Sequence, residues 1–289
     1  MQYLNGSARH NGPPVASWNE ELPAAHTSED ILDLAEQILV RDCMARSGFR
    51  VWLTPPNPIP EDKDFPYVVD DIAWAQQHGY GSDIEKQIEH LRSEDPNGQY
   101  FATLSSQQKE AASVALHGPA GKGVEVALPS GGVVGHSDRG CGAEAQRKLY
   151  GDFANWYRMN TFVKDLVSER RGLVLGDHRY KTAVLQWADC MRAQGMAYGS
   201  PMETRDAVRD KKRFDRGAEI RLATAEAGCA ARSGLSGVAH QLDQHYAEQL
   251  KKRYAEEVTA EARLRETALP RATEIIDAQR ADPPGRTTN

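Results

Sequence analysis

Apolar residues recur at helical spacing along most of this chain, and the exception is a short central stretch where they alternate. Ile31, Leu34, Ala35, Ile38 and Leu39 line one face of a helix. Thr27 or Ser28 supplies its cap oxygen, Glu29 and Asp30 complement its positive end, and Gly48 ends it. Residues 49–53 alternate apolar and polar, which predicts a strand. Pro55, Pro56, Pro58 and Pro60 stop it and make 55–65 a surface connector. Short helices are predicted over 70–77, closed by Gly79, over 84–91 with Ser82 as cap, and over 104–116. Ser105 or Ser106 opens the last of these, with Glu110 as its capping-box acid.

Residues 124–128 and 133–136 alternate on either side of Pro129-Ser130-Gly131-Gly132, the pattern of a β-hairpin, and 49–53 is a candidate third strand beside it. From Cys141 the period is helical again, over 143–150, 156–169, 180–193 and 206–227. A final long helix is capped by Ser236. It places Val238, Leu242, Tyr246, Leu250, Tyr254 and Val258 every fourth residue, a stripe that winds slowly across several partners. The expected fold is mainly α with a small antiparallel β-hairpin or three-stranded sheet, and a long C-terminal helix. Residues 1–26, rich in Gly, Pro and Asn, read as a flexible arm with Trp18 and Leu22 as anchor points. Residues 27–270 read as one mainly helical domain with its hairpin near 124–136, and 271–289 as a tail that frays after Asp282.

Four cysteines change this picture. Asp42-Cys43-Met44 through Gly48, Asp189-Cys190-Met191 through Gly195 and Cys229 through Gly234 repeat a Cys-x4-Gly unit at the end of a helical run. In each, the glycine is placed to take the left-handed conformation that closes a helix. Cys141 sits instead at the start of a helix. Four cysteines at helix ends suggest two staples, for which three connectivities exist. Pairing the most similar units joins Cys43 to Cys190 and Cys141 to Cys229.

At 289 residues with 40% hydrophobic and 26% charged residues, the chain has the composition of a folded soluble protein. Its net charge of -6 argues against general affinity for nucleic acid, and the basic runs Lys211-Lys212-Arg213 and Lys251-Lys252-Arg253 read as solvated helix faces. No apolar run approaches the ~20 residues of a membrane span, and Met1 to Ala16 lacks the pattern of a secretory signal. The even cysteine count favours an exported protein whose signal or lipid tether preceded this start. The alternative is a cytoplasmic protein with free thiols.

No cofactor motif and no metal site are expected. The cysteines are too far apart for a zinc cluster, and His240 and His245 do not share a helix face. Gly118-Pro119-Ala120-Gly121-Lys122-Gly123 imitates a phosphate loop in composition only. The turn 135–141 joins a strand to a helix N-terminus, where free amides attract anions, and it carries His136, Asp138 and Arg139, with His117 close by. These four are the candidate catalytic residues. The plainer reading is a hairpin turn and helix cap using Ser137 and Asp138. Aromatics such as Trp52, Trp74, Tyr80 and Trp156 either line a groove or fill the core, and Trp187 is expected to pack over a disulfide.

Three stretches carry a resemblance: Cys43-Met44 through Gly48-Phe49; Gly140-Cys141 with Glu144-Ala145 and Leu149-Tyr150-Gly151; and Trp187 to Cys190-Met191 through Gly195. In these the chain resembles a group of actinobacterial secreted or lipid-anchored proteins of unassigned function. The resemblance implies an exported protein with paired cysteines and implies no activity. The expectation is therefore an extracellular or cell-envelope protein that binds a peptide, a glycan or a partner protein, without nucleic acid. The alternative is an atypical enzyme, a hydrolase or natural-product tailoring protein, with its polar site at 135–141.

Overall fold

Many of the helices start where a side-chain oxygen can reach back to a free amide. Those that start at Ser82, Cys141 and Leu235 follow a glycine with no side-chain cap, so Ser82 is the first residue of its helix and not the cap. In the computed structural model, which describes residues 22–55, 59–121, 123–209 and 215–281, α1 (Ser28–Arg46) opens on a reciprocal capping box. Thr27 Oγ1 accepts from the Asp30 amide, and Asp30 accepts from the Thr27 amide at 2.9 Å. Three short helices follow, α2 (Ile72–His78), α3 (Ser82–Glu94) and α4 (Pro96–Thr103), the last missed by periodicity although Asp95 caps it with Pro96 in its first turn. α5 (Ser106–His117) is boxed by Ser105 with Gln108, and not with Glu110, because only the third helical residue can reach the cap amide.

β1 (Val124–Ala127) and β2 (Val133–His136) pair antiparallel, Val126 facing Val134. Val124 and Val126 point inward, and Val124 packs with Ala143 and Phe153. The alternating stretch 49–53 joins no sheet. The Trp52 amide and carbonyl are matched by the Asn97 side-chain amide at 2.8 and 3.0 Å, and the Thr54 amide by Gln37 Oε1 at 2.8 Å. Two side-chain amides thus do what a neighbouring strand would have done.

Six further helices complete the body: α6 (Cys141–Tyr150), α7 (Phe153–Gly176), α8 (His178–Ala193), α9 (Pro201–Arg209), α10 (Arg216–Arg232) and α11 (Leu235–Arg253). The expected terminal helix divides at Tyr254, whose ψ of 38° leaves the helical region, and α12 (Ala255–Ala281) continues from there. α11 begins at Leu235 behind Gly234, earlier than a Ser236 cap would place it. The tail expected from 271 lies in α12 as far as Ala281. Residues 1–21 with Trp18, the prolines at 56 and 58, Lys122, the run Lys211-Lys212-Arg213 and the tail after Asp282 fall wholly or partly outside the described residues.

Two clusters of buried side chains share α7 as a common spine. α1, α6 and α12 enclose Leu34, Ile38, Leu149, Trp156, Ala272 and Ile276, with the Trp156 ring stacked on Tyr150 at 3.5 Å. α8, α10 and α11 enclose Tyr180, Trp187, Met191, Leu222 and Leu242 beside Val174 near the end of α7. The helices thus present apolar faces to both sides of one central element.

The Cys-x4-Gly units close their helices as expected. Gly48 has φ 86°, its amide bonding Ala45 O and the Phe49 amide bonding Met44 O. Gly195 and Met196 repeat this pattern on α8. The bridges, however, are Cys43–Cys141 and Cys190–Cys229, which corrects the pairing by similarity. Similar units share a way of ending a helix, whereas a bridge needs two helices side by side: α1 packs on α6, and α8 on α10. Trp187 shares a core cluster with Cys229, over the second bridge. Closing loops of 98 and 39 residues contributes about 4.7 and about 3.9 kcal/mol in the chain-entropy model.

The surroundings of the bridges differ. Cys43 and Cys141 are buried, with Glu144 Oε2 3.4 Å from Cys43 Sγ. Cys190 is partly exposed, and Arg232 Nη2 lies 3.3 Å from the sulfurs of both Cys190 and Cys229. A guanidinium stabilises a departing thiolate and a carboxylate opposes one. Limited dithiothreitol is therefore expected to open Cys190–Cys229 first, read by alkylation and peptide mass mapping; equal labelling of all four cysteines at every time point would contradict this. Separately, Asn97→Ala leaves both polar groups of Trp52 unmatched and is expected to cost about 2–4 kcal/mol in urea unfolding.

Candidate functional site

Near the junction of α2 and α3 the chain must turn sharply, and Gly79-Tyr80-Gly81 makes the turn. A side chain at 79 would lie 2.8 Å from Glu219 Oε1. Glu219, on α10, fills the space that glycine leaves. It accepts from the Tyr80 amide at 2.9 Å, the Ser82 amide at 3.2 Å and the Ser82 hydroxyl, so a tethered carboxylate occupies the N-terminus of α3. Arg216, one turn earlier, donates to the last carbonyls of α2, Gln77 O at 2.6 Å and His78 O at 2.8 Å. It also pairs with Asp83 at 3.0 Å and Glu219 at 3.3 Å. Residues 216 and 219 thereby clamp the end of one helix to the start of the next.

Two turns further along α10, Glu226 has no exposed surface. Its Oε1 accepts from the Val69 amide at 2.9 Å, and its Oε2 meets the Tyr80 hydroxyl and, at 2.5 Å, Thr204 Oγ1. Burial pushes its carboxyl above the ordinary carboxylate range against the opposing pull of those hydrogen bonds. The same burial raises the Tyr80 phenol far out of its usual range. Thr204 has one hydroxyl hydrogen and two acceptors within reach, Glu226 Oε2 and Pro201 O at 2.8 Å. When that hydrogen serves Pro201, the short contact requires a proton on Glu226, which is what burial favours.

In front of this network lies an open cleft of about 590 Å³, within the usual size of small-ligand sites. Phe65, Trp74 and Tyr80 form its aromatic wall, the first two with ring centroids 4.8 Å apart. The Trp74 ring is fixed by a 2.9 Å bond from its Nε1 to Glu61 O. Lys63, Lys86, Arg205 and Arg209 supply positive heads around it. Ser82, the one hydroxyl in the lining besides Tyr80, gives its hydrogen to Glu219 and receives Arg216 Nη1 at 3.2 Å, so it is engaged as a strut.

The turn 135–141 is arranged differently. The His117 and His136 rings meet at 6.5 Å, and His136 also packs against Phe153 and Tyr157 with its Nδ1 2.8 Å from Ser137 O. Asp138 and Arg139 are exposed and pair only loosely with each other at 3.9 Å. The Ser137 hydroxyl accepts from the Arg139 amide at 3.3 Å, and the Asp138 carbonyl from Arg147 at 2.8 Å. Backbone holds this turn in place: a Cβ at Gly118 or Gly140 would lie 2.3 Å from a main-chain atom of the other loop. The structure brings the two imidazoles together and sends Asp138 and Arg139 to solvent.

No protein-family model, curated protein or solved structure matches this chain. The site is read from its own chemistry. Among the described residues no three His, Cys, Asp or Glu side chains gather to hold a metal. The groups that build the cleft, Arg205, Arg216, Glu219 and Glu226, were not singled out from sequence. The available signal was Glu226 itself, one acid inside the small-residue run Ala223-Thr224-Ala225-Glu226-Ala227-Gly228-Cys229-Ala230-Ala231, where no solvent face was left for it.

The folded protein holds the Glu226 proton more tightly than the unfolded chain, whose carboxyl titrates near its ordinary value of 4.5. That contribution to stability is complete below the ordinary value and is lost as pH rises through the folded one. Glu226→Gln keeps a hydrogen-bonding end but cannot ionise. Its stability relative to the unsubstituted protein is expected to rise from acid to alkaline pH, measured as urea midpoints; a constant difference would show that the Glu226 carboxyl titrates alike in the folded and unfolded chain.

Proposed function

We propose that this is an extracellular or cell-envelope binding protein whose ligand, a peptide, a glycan or a segment of a partner protein, sits in the cleft between the α2–α3 turn and α9–α10. One observation carries the reading. Of the carboxylates that line or back the cleft, Glu219 and Glu226 are each engaged by scaffold donors, Asp64 is paired with Arg171, and Glu85 is not free either. What remains toward the opening is aromatic surface and positive heads. Such groups recognise and orient a ligand and supply no nucleophile paired with a free base.

Export is supported by the two bridges, since disulfides persist in oxidising compartments and are rare in the cytosol. The resemblance to secreted and lipid-anchored actinobacterial proteins points the same way. Among the described residues no helix is long and apolar enough to cross a membrane.

Hydrogen exchange measured on the intact, oxidised protein with a panel of short peptides and oligosaccharides tests the reading. A binding probe is expected to protect amides around 65–69, 80–86 and 203–209. Protection confined to the turn 135–141, or chemical conversion of a probe, would favour the enzyme alternative and overturn this one.

A further inference from the structure

The cleft lining is unusual for an acidic protein. It holds Lys63, Lys86, Arg205, Arg209 and Arg216 against Asp64, Glu85 and Glu219, a surplus of two positive charges on a chain whose net charge is -6. The partners of these groups sort them. Arg216 is consumed by Asp83, Glu219 and two carbonyls. Lys63 is paired with Asp71 and Arg209 with Asp206, both at 2.8 Å, and Asp64 with Arg171, which is not among the lining residues. Two cations stay unmatched by any carboxylate among the described residues. Lys86 is exposed, and among the described residues the half-buried Arg205 donates only to the Phe65 carbonyl. Arg205 is close enough to Glu226 and Tyr80 to act on both electrostatically. Glu226 is engaged elsewhere, with Val69, Tyr80 and Thr204, and offers Arg205 no hydrogen bond.

A guanidinium has five N–H donors in a planar fork. With one of them used, Arg205 keeps enough of that fork for a two-oxygen acceptor. The backbone amides that would wrap a phosphate, at the N-terminus of α3, are already filled by Glu219. The anion must therefore be held by side chains, and beside Arg205 the wall is Phe65 and Trp74. We propose that the cleft binds a carboxylate joined to an apolar body, either the C-terminal end of a peptide or a free aromatic acid, with the carboxylate on Arg205 and the apolar part against Phe65 and Trp74. This rests on the binding reading above and narrows its ligand.

The test is titration of the intact, oxidised protein, by calorimetry, with a hexapeptide ending in phenylalanine, the same peptide amidated at its C-terminus, and N-acetylphenylalanine. The free peptide is expected to bind at least about tenfold more tightly than the amide, the loss typical of a charge-assisted bond removed. Binding of N-acetylphenylalanine as well assigns the site to free acids; binding of the peptide alone assigns it to chain ends. Arg205→Lys is expected to abolish most of the preference for the free carboxylate. Lys86→Gln, at an exposed unpartnered residue that leaves the fold untouched, is expected to weaken binding and flatten its dependence on salt. Equal affinity for peptide and amide, with protection still at the cleft, overturns the carboxylate assignment and leaves the binding protein standing. Failure of these probes and of the wider peptide and oligosaccharide panel to touch the cleft sinks both.

Discussion

A carboxyl group cut off from water has to find its hydrogen bonds in protein, and Glu226 finds them in three segments far apart in the chain. The Val69 amide, the Tyr80 hydroxyl and Thr204 come from the segment before α2, the α2–α3 turn and α9. None of these belongs to a long helix, and each is tied to α10 by a hydrogen bond as well as by packing. The backbone carbonyl of the same residue receives the Trp187 indole at 3.3 Å, tying α8 to the same point. Burying this acid costs free energy. What the fold gains is the position of every wall of the cleft relative to α10.

The cleft and the turn 135–141 show two uses of polar residues that look alike in sequence. In the turn, the Ser137 hydroxyl accepts from the Arg139 amide, Gly140 opens α6 without the side-chain cap expected from Ser137 or Asp138, and glycine-tight backbone contact between two loops does the positioning. In the cleft, Arg216 and Glu219 absorb the loose ends of α2 and α3. Charges that face the opening are thereby separated from charges that serve the frame. That separation is the physical basis for reading the cleft as a place of recognition.

Local signals were legible in the chain and long-range ones were not. The start of α1 at Thr27, its end at Gly48, the hairpin and the helical periods of α6 to α8 follow from neighbours within a few residues, and they stand in the structure. The stretch 49–53 alternates as a strand does, yet its partner is Asn97, more than forty residues on, and nothing in the alternation tells a side-chain amide from a strand. The bridge pairing failed for a related reason: similarity between Cys43 and Cys190 describes how each helix ends, while pairing depends on which helix lies alongside. Glu226 was hidden because a lone acid in a helix ordinarily faces water, and only the unbroken small residues around it indicate otherwise.

The order of the bridges along the chain has a consequence for biogenesis. The first cysteine joins the second and the third joins the fourth, so the two covalent loops neither interlock nor overlap. A chain emerging N-terminus first into an oxidant meets each correct partner as the very next thiol to appear. Simple oxidation in order of emergence then yields the native connectivity, and the slow reshuffling by which interleaved cysteine frameworks are corrected has nothing to correct.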